Sequence, residues 1–281
     1  MVATPSLFLL LVVALTWALW IPAGLLSATG ADLAARLLHY AGGVMPFFAT
    51  MALLYTRHAA ADRRDFWLRV LQPRRIGRPW WLAVLCAAPL LTFAAAAVGG
   101  VLDTPGLVAR SWTAIPYALF LLVFGPVPEE LVWRGYALDG LQARRSALLS
   151  SIVLGAVWTV WHLPLFFIRG SYQHGLGLGT ARFWLYMLDK IPQSILMTWI
   201  YNNTQRSTLS AILFHYSVNL TGELLDLTLR AEMVYMVLWI TVAIVVAAVW
   251  GPERLSRRAR CEVGHEQGVL SAAGIGSVIV D

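Results

Sequence analysis

The chain has 281 residues, of which 59% are hydrophobic and only 13% are charged, and its formal net charge is +6. Soluble domains carry about 25% charged residues, so the composition excludes an ordinary soluble protein and indicates an all-α polytopic membrane protein. The arginines flank apolar runs and form no separate basic domain, so we expect the lipid bilayer as a partner and no nucleic acid.

Apolar runs long enough to cross a hydrocarbon core of about 30 Å as helices follow one another along the chain. We expect eight transmembrane helices around an internal polar cavity, near residues 7–26, 37–55, 80–102, 113–136, 147–167, 183–201, 209–225 and 233–250. No lysine or arginine precedes the first run, so it is read as a retained span and not as a signal peptide. The predicted organisation is a transmembrane domain over residues 1–250 and a flexible, basic cytoplasmic tail over residues 251–281.

The charged connections between the spans indicate an orientation. The connection after the second span, residues 56–79, is rich in arginine, and the connections after the fourth, sixth and eighth spans also carry arginine. By the positive-inside rule, both termini are predicted to be cytoplasmic. Phe66, Trp67, Val70 and Leu71 recur at helical spacing and suggest a short interfacial helix or, equally, a solvated loop. The preference for arginine over lysine is typical of a GC-rich genome, so we expect a bacterial cell membrane.

The stretch PEELVWRG, residues 128–135, places Glu129, Glu130 and Arg134 inside an apolar span. A charge near the bilayer centre costs about 2.5–3.5 kcal/mol on insertion scales, so these three side chains need a physical reason. Glu130 and Arg134 are four residues apart, the spacing of an ion pair within a helix. Glu129 points about 100° away around the helix and would remain free to act as a base.

Two later spans also carry polar side chains. His162 follows Trp158 by one helical turn, and His215 and Asn219 share a helix face at a spacing of four residues. If the spans pack together, these groups would meet Glu129 in one cavity. A carboxylate next to an imidazole suits general-base catalysis, and an imidazole with an amide can donate to an oxyanion. No obvious nucleophilic side chain accompanies them, so the attacking group would be water.

The three motifs, in this order, resemble the CAAX protease and bacteriocin-processing family, also called type II CAAX prenyl endopeptidase-like proteins. PEELVWRG matches Glu-Glu-x-x-x-Arg, and residues 215–219 match His-x-x-x-Asn. Residues 158–162 occupy the second motif, usually Phe-x-x-x-His, with Trp158 in place of phenylalanine. The resemblance covers residues 80–225 or so and implies a glutamic-type intramembrane endopeptidase with eight transmembrane helices.

The resemblance also implies a role for each motif residue. Glu129 would activate water with the help of His162, while His215 and Asn219 would stabilise the oxyanion. The residues that support the site would be Glu130, Arg134 and Trp158. We expect no metal and no cofactor, and the expected substrate is a membrane-associated or lipidated protein or peptide.

Two other functions fit the same residues. The first is a zinc protease with Glu129, His162 and His215 as ligands, although the chain has no His-Glu-x-x-His helix. The second is a non-enzymatic immunity or transport protein, in which the polar groups hold a peptide or relay protons. A transporter more often shows a repeated half, and none is apparent in the sequence.

Overall fold

The computed structural model describes residues 5–102 and 114–257. Within these ranges the backbone is helical and contains no strand, only an isolated bridge between Val101 and Leu227. The predicted all-α membrane fold is therefore confirmed. The greater part of the tail predicted to be flexible, from residue 258 onward, lies outside the described residues.

The described helices follow one another with short connections. In chain order they are α1 Pro5–Ala28, α2 Asp32–Arg57, α3 Ala60–Leu71, α4 Arg78–Gly99, α5 Ala114–Phe124, α6 Pro126–Val132, α7 Leu138–Gln142, α8 Ala147–His162, α9 Tyr172–Leu176, α10 Ala181–Leu188, α11 Lys190–Asn203, α12 Thr208–Leu224 and α13 Leu229–Trp250. A π-helical turn, Trp133–Ala137, joins α6 to α7, and a 3-10 turn, Leu163–Phe167, follows α8.

Six helical stretches of the described residues are long and apolar enough to cross a membrane. They are Pro5–Ala28, Asp32–Arg57, Arg78–Gly99, Ile115–Gln142, Ala147–Phe167 and Leu229–Trp250. The other two predicted spans are also helical, but α10, α11 and α12 have only 8, 14 and 17 residues. The chain is a multi-pass membrane protein, and the count of eight spans stays a prediction.

Helix α11 lies inside the bundle, whereas the apolar helix α13 lies at its outside. Nearly every side chain of α11 is buried, including those of Gln193, Ser194 and Thr198. By contrast, α13 is almost wholly apolar and buries only four described side chains, so most of its surface is left for lipid. Burying α11 allows its polar groups to find protein partners at a depth where lipid offers none.

Helices α8 and α11 approach each other closely at Gly155. An added Cβ there would stand 2.9 Å from the Cα of Ile191 and 3.0 Å from the carbonyl oxygen of Lys190. Only a residue without a side chain permits this approach. The contact places Trp158, one turn further along α8, beside the start of α11.

The end of the bundle near α7 is held together by arginines. Arg69 of α3 donates to Asp139 at 3.3 Å and to the hydroxyl of Tyr201 at 2.7 Å, and Arg206 also pairs with Asp139. The short helix predicted as one option around residues 66–71 is therefore present, and it is tied to this end of the protein. The residues just after α13 pack here as well, because the carbonyls of Arg254 and Leu255 accept hydrogen bonds from Asn202 and Asn203 at the end of α11.

Candidate active site

The helix that carries the first motif is irregular on both sides of the motif. Gly125 breaks the path between α5 and α6 with φ −121° and ψ −93°, and Pro126 opens α6, where a missing backbone donor costs nothing. After Val132 the chain enters the π turn Trp133–Ala137. Such wide turns often occur at functional sites because they redirect side chains within a helix.

Glu130 and Arg134 form the predicted ion pair. Nη1 of Arg134 lies 3.1 and 3.0 Å from the two carboxylate oxygens of Glu130, and both side chains are fully buried. Nη2 of Arg134 donates to the hydroxyl of Ser194 at 3.0 Å, which ties the motif to α11. Nδ1 of His215 lies 3.0 Å from Oε1 of Glu130. Because a carboxylate paired with arginine only accepts, this imidazole nitrogen is the donor.

Glu129 has a different environment from its neighbour. Its Oε2 accepts a hydrogen bond of 2.6 Å from the indole Nε1 of Trp158, and its side chain is buried. Among the described residues, no protein donor bonds its other oxygen, Oε1. Glu129 therefore has one oxygen held by the protein and one available to a water molecule.

His162 is oriented by its own helix. Its Nδ1 lies 2.8 Å from the carbonyl oxygen of Trp158. Since a carbonyl cannot donate, Nδ1 carries the proton, and Nε2 of the neutral ring is an acceptor. The ring packs edge-on against Tyr186, with a centroid separation of 5.6 Å. His162 thus offers a hydrogen-bond acceptor inside the bundle.

Trp158 is the side chain around which the three motifs meet. Its indole bonds Glu129, and its ring lies 5.8 Å from the ring of His162 and 5.1 Å from that of His215. Asn219, half-buried on α12, lies against Gly125, where an added Cβ would stand 3.5 Å from the amide nitrogen. The structure therefore gathers the residues singled out in the sequence into one region of the bundle.

The sequence reasoning missed Lys190, the single lysine of the chain. Its Nζ lies 2.6 Å from Oδ1 of Asp189, 3.8 Å from the ring centroid of Tyr186 and 5.6 Å from that of Trp158. A signal was available in the sequence, because an adjacent aspartate and lysine inside a predicted span are costly unless they pair. The site thus contains a second buried cation besides Arg134.

A cavity of about 130 Å³ adjoins these residues. It is lined by Thr92, Tyr172, Leu176, Arg182, Leu185, Tyr186, Asp189, Gly222, Leu225, Leu227, Glu232, Tyr235 and Met236. Burial, followed by the negative charges of Glu232 and Asp189, raises the pKa of Tyr172 at its rim to about 12, so this phenol stays protonated at neutral pH. The volume is sufficient for several water molecules, and Tyr186 both lines the cavity and packs against His162.

The residues of the zinc hypothesis are arranged around separate partners. Nδ1 of His162 faces a backbone carbonyl, and Nδ1 of His215 faces Glu130 and not Glu129. In residues 5–102 and 114–257, no group of three or more histidine, cysteine, aspartate or glutamate side chains is placed to hold a metal ion. The arrangement has the form of a hydrogen-bond network centred on Trp158.

A carboxylate, two imidazoles and an amide gathered inside a helical bundle define a membrane protein with the groups needed for hydrolysis. Residues 111–221 match the family model described as type II CAAX prenyl endopeptidase Rce1-like. The chain is also 30% identical over 239 residues to CAAX prenyl protease 2 of Methanococcus maripaludis, an alignment that covers 82% of this chain and 88% of that protein. The chain therefore belongs to the type II CAAX prenyl endopeptidase family and is a membrane endopeptidase, which confirms the resemblance drawn from the motifs.

Proposed function

We propose that the chain hydrolyses peptide bonds within the membrane and that Glu129 is the base that activates the attacking water. The observation that carries the proposal is the difference between the two adjacent glutamates. Glu130 is neutralised by Arg134, whereas Glu129 is buried next to Trp158 and keeps one oxygen to which no donor among the described residues bonds. A positioned carboxylate with a free oxygen is what general-base catalysis requires.

In the proposed reaction, the water oxygen attacks the scissile carbonyl carbon while Oε1 of Glu129 takes its proton. Nε2 of His162, an acceptor in the neutral ring, holds the second hydrogen of the water and so orients its lone pair. The tetrahedral intermediate then collapses, the C–N bond breaks, and the proton on Glu129 passes to the leaving amine. The products are a new carboxylate and a new amino terminus.

The oxyanion is assigned to His215 and Asn219. Because Nδ1 of His215 donates to Glu130, its Nε2 can donate only when the ring carries both protons. The proposed role therefore requires the doubly protonated ring, with the carboxylate of Glu130 as its counter-ion. Glu130 would then neutralise Arg134 and hold the His215 ring in position as an oxyanion donor.

The first substrate to test is a prenylated protein that ends in a CAAX sequence, since the related archaeal protein is described as a CAAX prenyl protease. The exposed apolar side chains on the outer helices place the protein in lipid, where a lipid-anchored substrate would be concentrated. A leader peptide or another membrane-associated peptide is the alternative, because nothing in the described residues identifies a prenyl group.

For the membrane, we propose the bacterial cell membrane with both termini on its cytoplasmic side. The support is the arginine-rich end of the bundle, where Arg75 donates to the carbonyl of Gln205 and Arg257 lies over Trp250. In a chain without Cys86 and Cys261, single cysteines at the exposed positions Arg74 and Glu253 should be labelled from the same side. Labelling from opposite sides would contradict this orientation.

The function is tested with purified protein and two peptides of identical sequence, one farnesylated at the CAAX cysteine and one not. We expect cleavage by the wild type and none by Glu129→Gln, with activity retained after thorough chelation. Activity that disappears with a removed metal and returns with zinc would instead support the zinc hypothesis. Cleavage of the unmodified peptide alone would contradict a prenylated substrate, and cleavage of neither peptide would favour a different substrate or the non-enzymatic role.

A further inference from the structure

Lys190 is a buried cation with a dedicated counter-ion. It is only 6% exposed, and lysine is almost never buried to this degree unless it is paired. Its Nζ lies 2.6 Å from Oδ1 of Asp189, and Oδ2 of Asp189 accepts a hydrogen bond of 3.0 Å from Gln193. Both oxygens of the aspartate are thus engaged, and the ammonium group is held in one position.

Lys190 faces two aromatic rings, and these rings contact the proposed base Glu129 and the histidine proposed to orient the water, His162. Nζ lies 5.6 Å from the ring centroid of Trp158, whose indole donates to Glu129. It lies 3.8 Å from the ring centroid of Tyr186, which packs edge-on against His162. A cation over an indole ring draws electron density from it, so the N–H becomes a stronger donor.

Lys190 is not the only positive group near Glu129, because the guanidinium of Arg134 also lies over the ring of Trp158, 5.8 Å from its centroid. Lys190 differs from Arg134 in being paired with Asp189 and not with a glutamate. Arg134 is committed to Glu130, to which it donates two hydrogen bonds. The titratable groups that face Lys190 and Asp189 from the neighbouring helices are Glu129 of α6, His162 of α8, Tyr172 of α9, Tyr186 of α10, His215 of α12 and Tyr235 of α13. Within a buried site, a charge acts over several ångströms because little water screens it.

We propose that Lys190, fixed by Asp189, is a positioning residue for the hydrolysis, and that its positive charge keeps the Glu129 carboxylate ionised and bonded to Trp158. The inference rests on the proposed function, because it assigns Lys190 to the same reaction. Lys190 acts by polarising the ring of Trp158 and through the electric field of its own ammonium charge. It does not touch the substrate. The cation adds to the hydrogen bond from Trp158 in favouring the charged form of a buried carboxylate that lies next to a second carboxylate.

The competing reading is that Lys190 and Asp189 form an ion pair that serves folding alone. The two readings are separated by removing both charges together. Lys190→Met leaves the aspartate without its cation and should destabilise the fold, whereas the double variant Lys190→Met with Asp189→Asn leaves no unpaired charge and should fold. Lys190→Arg retains the charge and serves as the conservative variant.

For the double variant, we expect a folded protein whose kcat, measured on the acid limb of the pH–rate profile, is about tenfold below that of the wild type, with KM little changed. The acid limb of its pH–rate profile should lie about one pH unit higher, because one unit corresponds to a tenfold change in the ionised fraction. Lys190→Arg should keep the limb at its wild-type position, even if its Tm falls. A double variant with the wild-type rate and profile would overturn the proposal and leave the pair a structural role.

A readout that needs no substrate distinguishes this proposal from the proposed function. Infrared difference spectra between the wild type and Glu129→Gln isolate the Glu129 carboxyl band, and a pH titration gives the midpoint at which it takes up a proton. The midpoint should lie about one pH unit higher in the double variant. If it is unchanged, Lys190 does not act on Glu129. If it shifts in a protein that cleaves no peptide, the coupling stands and the proposed hydrolysis fails.

Discussion

Replacing Arg134 with methionine is the perturbation that most directly probes the first motif. Methionine keeps an apolar stem of similar length but removes the guanidinium group. Glu130, which is fully buried, would then retain only the hydrogen bond from His215. A carboxylate in this position can obtain no water to replace the lost partner, so the variant should be strongly destabilised.

The structure sets the magnitude of this loss. Arg134 donates two hydrogen bonds to Glu130, at 3.1 and 3.0 Å, and two to Ser194, at 3.3 and 3.0 Å. Removing one member of a buried pair costs about 3–5 kcal/mol of unfolding free energy. The double variant Arg134→Met with Glu130→Gln leaves no unpaired charge, so the two losses should fall short of additivity by about 1–3 kcal/mol.

Reversible unfolding in detergent micelles or bicelles, followed for the wild type, the single variants and the double variant, measures this coupling. Arg182→Met is the matched control, because its partner Glu232 lies at a partly exposed position where a pair contributes about 0–1 kcal/mol. Equal losses of unfolding free energy in Arg134→Met and Arg182→Met would refute the reasoning from burial. So would a loss in the Arg134→Met, Glu130→Gln double variant equal to the sum of the two single losses.

Three further variants test the site and its supports. Trp158→Phe keeps an aromatic ring but removes the donor to Glu129, so kcat should fall about tenfold while Tm changes little. An unchanged kcat would contradict a role of the indole donor in the reaction. Asn219→Ala should lower kcat about 10²- to 10³-fold in a folded protein if its amide is one of two oxyanion donors, and a loss below threefold would contradict that role. Gly155→Ala should lower the unfolding free energy by about 1–3 kcal/mol, because its Cβ would stand 2.9 Å from the Cα of Ile191; Gly175→Ala, with open space around it, is the control, and equal effects would count against the close approach.

The features predicted correctly from the sequence depend on spacing along one helix or on composition. The ion pair of Glu130 and Arg134 follows from a separation of four residues, and the membrane fold follows from the lengths of the apolar runs. The family followed from three short motifs in a fixed order. Each of these signals can be read without knowing which helices are neighbours.

The features that the sequence could not provide depend on contacts between helices. Nothing local indicates that the indole of Trp158 reaches Glu129, 29 positions earlier, or that His215 bonds Glu130. The division of the predicted span 183–201 into α10 and α11 is another such feature, since a helix surrounded by protein can be short and polar. The adjacent charges of Asp189 and Lys190 could have been noticed in the sequence, but the surroundings of Lys190 could not, because its rings come from two other helices.

The most direct test of the account is the rate of peptide-bond cleavage by Glu129→Gln, measured against wild-type protein of equal folded fraction on the same membrane-presented substrate. Glutamine keeps the size and an acceptor for Trp158 but cannot take a proton from water. The account predicts a loss of at least about 10³-fold in kcat, with Tm close to that of the wild type. A Glu129→Gln variant that cleaves within tenfold of the wild-type rate would contradict Glu129 as the base.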